Sequence, residues 1–270
     1  MKMMFATDVD GTILTDSGKP HKETNDAFDY AKSKNNIIVI ATGRALSRTQ
    51  ILLDMMPNVD YFICNNGSLV YDVRKDEILF LSSLDPKTYL FMMEFAKKND
   101  FFFTIHTNKN TYSWPDRKFS NNTLITDSLD LEIRELIKNG SNTFLSEEEI
   151  TQISLFGTEV NCLKYFPEIQ KTFKGKQSVF LTNAVFIDIN PKDHSKWTAL
   201  KMLADKLGIA SNNIVTFGDS GNDLEMLIKA GEYGFPMKNS TNDLKKVLKT
   251  KIGDNNSNAI ANKIRELTDK

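Results

Sequence analysis

Near-continuous apolar runs at Met3 to Thr7, Ile37 to Ala41 and Tyr61 to Cys64 alternate with stretches of helical period at Lys22 to Lys34 and Leu46 to Met55. A strand buried on both faces reads as an unbroken apolar run, so this alternation predicts a parallel sheet with helices on both sides. Leu69 to Tyr71 and Ile78 to Leu81, separated by polar residues around Lys75 and Asp76, predict a short hairpin. After Ser83 the pattern changes. A helix over Pro86 to Lys98 precedes strands at Phe101 to His106 and Thr111 to Trp114. A helix over Leu129 to Lys138, a strand at Gln152 to Phe156, a helix over Asn161 to Phe173 and strands at Ser178 to Thr182 and Val185 to Ile189 follow. That αββαβαββ order predicts an α+β layer set into the first fold. From about Pro191 the earlier pattern resumes, with a helix over Lys196 to Leu207, a strand at Ile214 to Phe217 and three further elements.

Composition narrows the class. The chain has 270 residues, long for one hydrophobic core, and its 40% hydrophobic and 26% charged content is ordinary for a globular protein. A net charge of −1 argues against a nucleic-acid partner, which requires a basic face to displace counterions. The apolar runs are far too short to span a bilayer, and the first meets Asp8 too early for a signal peptide, so no membrane partner is expected. Cys64 and Cys162 lack paired spacing and read as reduced core thiols, which points to the cytoplasm. Phe101 to Phe103, Tyr112 and Trp114 read as core residues of alternating strands. His106 and His194 lack a second ligand at metal spacing, and Glu147-Glu148-Glu149 reads as a solvated turn.

The candidate chemistry lies where apolar runs end. Asp8-Val9-Asp10-Gly11-Thr12 delivers two carboxylates at the end of the first run. Neighbouring buried anions remain ionised together only when a cation compensates them, which asks for a divalent metal. Taken alone, the segment reads equally well as an acidic turn. Gly218-Asp219-Ser220-Gly221-Asn222-Asp223 then repeats the plan after Ile214 to Phe217. In an open parallel sheet, ligands sit beyond the carboxyl ends of the strands, so acids ending two neighbouring strands converge. Four carboxylates there suit Mg²⁺. Thr42-Gly43-Arg44, after the Ile37 strand, offers a hydroxyl and backbone N–H groups of the kind that bind phosphate. Lys196 opens a helix, where a cation is poorly matched to the helix dipole and so points to an anionic partner.

Asp8-Val9-Asp10-Gly11-Thr12, Thr42, Lys196 and Gly218-Asp219 with Asn222-Asp223, in that order, resemble the four motifs of the haloacid dehalogenase superfamily, specifically its Cof-type members. Asn65-Asn66-Gly67-Ser68 resembles the turn such proteins carry after the third core strand. The chain departs from the pattern in placing bulky Trp197 after the motif lysine. The resemblance implies a Rossmann-like doubly wound α/β core from residues 1–82 and 191–270, with residues 83–190 as an inserted α+β cap that selects substrate. It also implies a Mg²⁺-dependent phosphomonoesterase acting on a small organic phosphate, a sugar phosphate or a nucleotide or cofactor phosphate, through an aspartyl-phosphate. Asp8 would be the nucleophile and Asp10 the acid and base, with Thr42 and Lys196 holding the phosphoryl oxygens. Asp8, Asp10 through its backbone carbonyl, Asp219 and Asp223 would serve the metal, and Gly43, Arg44, Asn66 and Asn222 the substrate. A phosphomannomutase-like phosphomutase, which needs a bisphosphate activator, and a non-catalytic phosphate-ligand sensor are the rival readings; intact Asp8 and Asp10 weigh against the sensor.

Overall fold

A computed structural model of the protein describes residues 2–115, 123–248 and 251–270. The chain divides into two compact units, residues 1–80 with 194–270, and residues 81–193. The first begins with β1 (Met4–Thr7), α1 (Thr24–Ser33), β2 (Ile37–Ala41), α2 (Gln50–Met55), β3 (Tyr61–Cys64), β4 (Leu69–Asp72) and β5 (Glu77–Leu81). The second contains α3 (Lys87–Asn99), β6 (Phe102–Thr107), β7 (Thr111–Trp114), β8 (Thr123–Leu124), α4 (Asp127–Lys138), β9 (Ile150–Phe156), α5 (Glu159–Phe173), β10 (Gln177–Thr182) and β11 (Phe186–Pro191). The chain then returns to the first unit through α6 (Lys196–Lys206), β12 (Ile214–Gly218), α7 (Leu224–Lys229), β13 (Gly234–Pro236), α8 (Asn242–Val247) and α9 (Ala259–Thr268).

In the first unit the strands form one sheet in the order β13-β12-β1-β2-β3-β4-β5. The strands from β13 to β3 pair in parallel, and β4 turns back antiparallel to β3. The central strands are apolar throughout because both faces are covered. Met4, Ala6, Val39 and Ala41 pack with Leu200, Leu203 and Met226 of α6 and α7, while α1 pairs with α9 and lies against β2. Each of the buried Val, Leu and Met side chains among these contributes roughly 1.5–3 kcal/mol of transfer free energy. Register sets Thr7 beside Ile40 on one flank and Phe217 on the other. Asp8, Thr42 and Asp219 therefore leave the sheet at one end.

The second unit is a six-stranded sheet in the order β10-β11-β9-β6-β7-β8. Period-2 alternation turns Phe103, Ile105, Ile153, Leu155, Ile187 and Ile189 onto one face, where Tyr89, Met92, Ile133, Cys162 and Ile169 of the three helices meet them. The short β8, parallel to β7, was not anticipated. The solvated-turn reading of Glu147 to Glu149 is corrected at its centre: Glu148 is buried and accepts hydrogen bonds from Thr107 at 2.5 Å, Asn110 at 2.7 Å and Tyr112 at 3.0 Å. Among the described residues beyond β12 there are four further α-helices and strands rather than three. No described helix is long and apolar enough to cross a membrane.

Candidate active site

Asp8 directly follows β1, and its backbone N–H donates to the Phe217 carbonyl at 3.0 Å and so fixes the end of β1 against β12. The loop that follows passes over the end of β12. Gly11 has φ +80°, and a Cβ built on it would lie 2.5 Å from Asp219 Oδ2, so the approach demands glycine on both counts. Next to it, Thr12 Oγ1 donates to Asp219 Oδ1 at 2.8 Å. After β12, Ser220 and Asp223 form a capping box, with Asp223 Oδ2 accepting from the Asp219 and Ser220 N–H groups at 3.0 Å each.

Lys196 reaches this corner from the start of α6. Ser195 caps the helix reciprocally with Thr198, and the β3 turn packs against its first residues. Asn66, with φ 52°, and Gly67, with φ +105°, make that turn, and a Cβ on Gly67 would lie 2.1 Å from the Ser195 carbonyl oxygen. The Lys196 ammonium is wholly buried and donates to Asp8 Oδ1 and to Asp223 Oδ1, each at 2.6 Å. Burial opposes its charge, but Asp223 and Asp8 prevail and push its pKa upward. Asp8 is raised well above the usual carboxylate range by burial, against the pull of Lys196 and with repulsion from Asp223, Asp219 and Asp10 adding to the rise. Asp219 is pushed up to about 7 by burial and by Asp223, with the Thr12 hydrogen bond opposing.

Asp8, Asp219 and Asp223 each present an oxygen within 4.8 Å of the others. Three buried carboxylates around one ammonium leave two negative charges unmatched, the charge of one divalent cation. An all-oxygen donor set of this kind fits Mg²⁺. Both oxygens of Asp223 already accept protein hydrogen bonds, whereas Asp8 Oδ2 and Asp219 Oδ2 accept none among the described residues.

The remaining predicted residues fall into two groups. Asp10 is exposed, and its carboxylate accepts a bidentate pair from Arg44, Nε at 2.9 Å and Nη2 at 2.5 Å. Arg44, expected toward substrate, thus holds the second motif acid. Thr42 is buried; its Oγ1 accepts from the Arg44 N–H at 3.1 Å, which leaves its hydroxyl hydrogen able to donate. The Thr42 carbonyl accepts from the Asn66 N–H at 3.0 Å, and Asn222 Nδ2 donates to Asn66 Oδ1 at 2.9 Å. Gly43 lies against that amide pair, its Cβ position 3.2 Å from Asn66 Oδ1. Sequence reasoning assigned no role to Thr12 although it stands inside the first motif, and it overlooked Asn239, whose Nδ2 donates to the Gly11 carbonyl at 2.7 Å from far along the chain.

Comparison with known proteins gives the family and the fold. The profile of the haloacid dehalogenase-like hydrolases matches residues 5–264. The YxeH protein of Bacillus subtilis is 28% identical, with 99% of this chain and 98% of that one aligned. The 5-amino-6-(5-phospho-D-ribitylamino)uracil phosphatase YwtE of the same organism is 24% identical over 97% of each chain. Among solved structures, the HAD subclass IIB sugar phosphatase BT4131 superposes with a TM-score of 0.79 at 20% identity, covering 98% of this chain and 99% of that one, a shared fold.

Proposed function

We propose that this chain, which belongs to the haloacid dehalogenase-like hydrolases, is a Mg²⁺-dependent phosphomonoesterase acting on a small organic phosphate. One observation carries the reading: Lys196 bridges Asp8 and Asp223 at 2.6 Å each, beside Asp219, where two neighbouring parallel strands end. The relatives support the substrate class, since one is named for a phosphoribityl compound and a structural neighbour for sugar phosphates.

In this mechanism Lys196 fixes Asp8 through Oδ1 and leaves Oδ2 to attack phosphorus in line with the leaving oxygen. The bond from Asp8 to phosphorus forms as the ester bond breaks, and Asp10 passes its proton to the departing alkoxide. Asp10 then takes a proton from the water that attacks the aspartyl-phosphate, releasing phosphate and restoring Asp8. The Thr42 hydroxyl and the Gly43 and Arg44 backbone hold phosphoryl oxygens as charge redistributes. Asp8, the Asp10 carbonyl and Asp219 would hold Mg²⁺, which when bound would supply positive charge at the phosphoryl group. Asp223 orients the Asp219 loop, and the Asn66–Asn222 pair holds the phosphate-binding turn from beneath.

Residues 83–190 serve as a second recognition element. The face of their sheet opposite the helices carries a hydrogen-bonded row, Gln152 to Ser154 at 2.9 Å and Ser154 to Asp188 at 2.7 Å, with Asn190 on Gln152 at 3.1 Å. The test is phosphate release from a panel of sugar phosphates, nucleotides and phosphorylated cofactors with Mg²⁺ present. Release is expected for at least one monoester and should stop in chelator; full turnover in chelator refutes the metal assignment. Turnover that strictly requires a bisphosphate activator, with little phosphate released, refutes the hydrolase in favour of a mutase.

A further inference from the structure

A cleft of about 360 Å³ opens beside the Asp10–Arg44 pair within the first unit, lined among others by Leu14, Asp16, Ile51, Met55 and Asn255. Its volume is at the lower end of the range of small-ligand sites. One wall is the loop following Asp10, and three asparagines from distant sequence pin that loop. Asn239 donates to the Gly11 carbonyl at 2.7 Å and accepts from the Asn255 N–H at 3.1 Å. Asn255, itself buried, donates to the Leu14 carbonyl at 3.0 Å and to Asp16 Oδ1 at 3.1 Å. Asn256 donates to Asp16 Oδ2 at 2.9 Å and accepts from the Asp16 N–H at 3.0 Å. Asp16 is thereby a fixed carboxylate, and these bonds, Asn256 first, hold it below the usual carboxylate range. An ionised carboxylate has about four acceptor positions, and the two amides use only two.

The opposite wall is apolar and unusual in its exposure. Ile51 is 60% exposed, and it stands one helical turn from Met55 on α2. Asp16 is met only by neutral amides and has no cation among its partners within the described residues, so its carboxylate stands in the cleft as an unmatched negative charge.

We propose that this cleft receives the leaving group of the phosphate ester, and that it selects a neutral polyhydroxylated carbon chain or ring while rejecting a leaving group with a second anionic group. This rests on the phosphomonoesterase reading and locates part of substrate choice in the catalytic unit. Hydroxyls donate to the open acceptor positions of Asp16, and the C–H face of the polyol lies on Ile51 and Met55. A second phosphate would be brought against the unmatched negative charge of Asp16.

The experiment compares kcat/KM for fructose 6-phosphate and fructose 1,6-bisphosphate, with phenyl phosphate as reference, in wild type, Asp16→Asn and Ile51→Lys. Wild type should prefer the monophosphate. Asp16→Asn should move the ratio toward the bisphosphate about ten-fold and reduce kcat/KM for the monophosphate more than for phenyl phosphate. Ile51→Lys, at an exposed position that does not test folding, should move the ratio in the same direction by adding a cation. A wild-type preference for the bisphosphate, or a ratio unchanged in folded Ile51→Lys, overturns the subsite while leaving the phosphatase reading standing. No phosphate release by wild type from the three esters, with release from a nucleotide or cofactor phosphate of the wider panel, overturns the subsite alone; no release from any member of the panel overturns both.

Discussion

Lys196→Met should make the stability of the first unit fall more steeply than wild type as pH rises. Methionine approximates the volume of the lysine stem, so little cavity is created, but two buried carboxylates lose the ammonium that lies 2.6 Å from each. Removing one partner of a buried ion pair costs about 3–5 kcal/mol, because the other charge stays buried without compensation. The cost must depend on pH. Asp8 already has a folded pKa raised by burial, and loss of Lys196 raises it further. A carboxyl with a raised folded pKa carries no penalty below its unfolded value and the full penalty above the folded one. The variant should therefore lie near wild type at about pH 5 and fall about 3–5 kcal/mol below it at about pH 8. Because the chain has two units, the measurement needs a local probe. Trp197 packs on the core of the first unit and Trp114 on that of the second, so urea unfolding by fluorescence in a Trp114→Phe background, in chelator, reports the first alone. An equal loss at both pH values, or a loss under about 1 kcal/mol at the higher, refutes the assignment of Lys196 as counter-charge to Asp8 and Asp223.

Asp8→Asn should leave less than about a hundredth of wild-type turnover in a folded protein, measured by phosphate release, since the amide cannot attack phosphorus. Asp219→Ala and Asp223→Ala should cross in their effects: the first should weaken Mg²⁺ more in a calorimetric titration, and the second should destabilise more in urea, because it strips partners from Lys196 and from two backbone N–H groups. With Asp219 pushed up to about 7, metal-free protein should lose stability as pH rises from its ordinary carboxylate range through about 7, and Mg²⁺ should raise Tm more at about pH 8 than at about pH 5.5; the opposite order in a thermal scan refutes this. Gly11→Ala should lower Mg²⁺ affinity without loss of β1 pairing, since its methyl would enter the space of Asp219 Oδ2.

The strands that place the site were readable because burial on both faces leaves little room for polar residues, and each acid stands at an abrupt end of such a run. Helix α2 was readable only in part. Its expected first turn is a 3₁₀ segment, Leu46–Arg48, and Thr49 Oγ1 donates back to the Leu46 carbonyl at 2.7 Å, a local bond that competes with the helical ladder. Glu148 was misread because a run of acids looks solvated whenever its partners, here Thr107, Asn110 and Tyr112, lie about forty positions away. Asn239, Asn255 and Asn256 escaped for the same reason. An amide in a loop has no periodic signature, and its acceptors on residues 11 to 16 are fixed only by tertiary folding. The pairing of Arg44 with Asp10 was not anticipated, since motif order says nothing of which carboxylate a long cationic side chain meets.

The place of β1 has a consequence for synthesis on the ribosome. It sits between β2 and β12, and those partners are made at opposite ends of a long interval. Residues 81–193 emerge as one continuous piece and can close their own sheet while the first eighty wait with an apolar edge of β1 unpaired. An unpaired hydrophobic edge is a template for association with other chains, so the nascent protein passes through a period of exposure to aggregation that ends only when Ile214–Gly218 leaves the exit tunnel. Truncation before that strand therefore removes more than Asp219 and Asp223: it leaves Asp8 on the rim of an incomplete sheet, and such fragments should be recovered bound to chaperones or in the insoluble fraction.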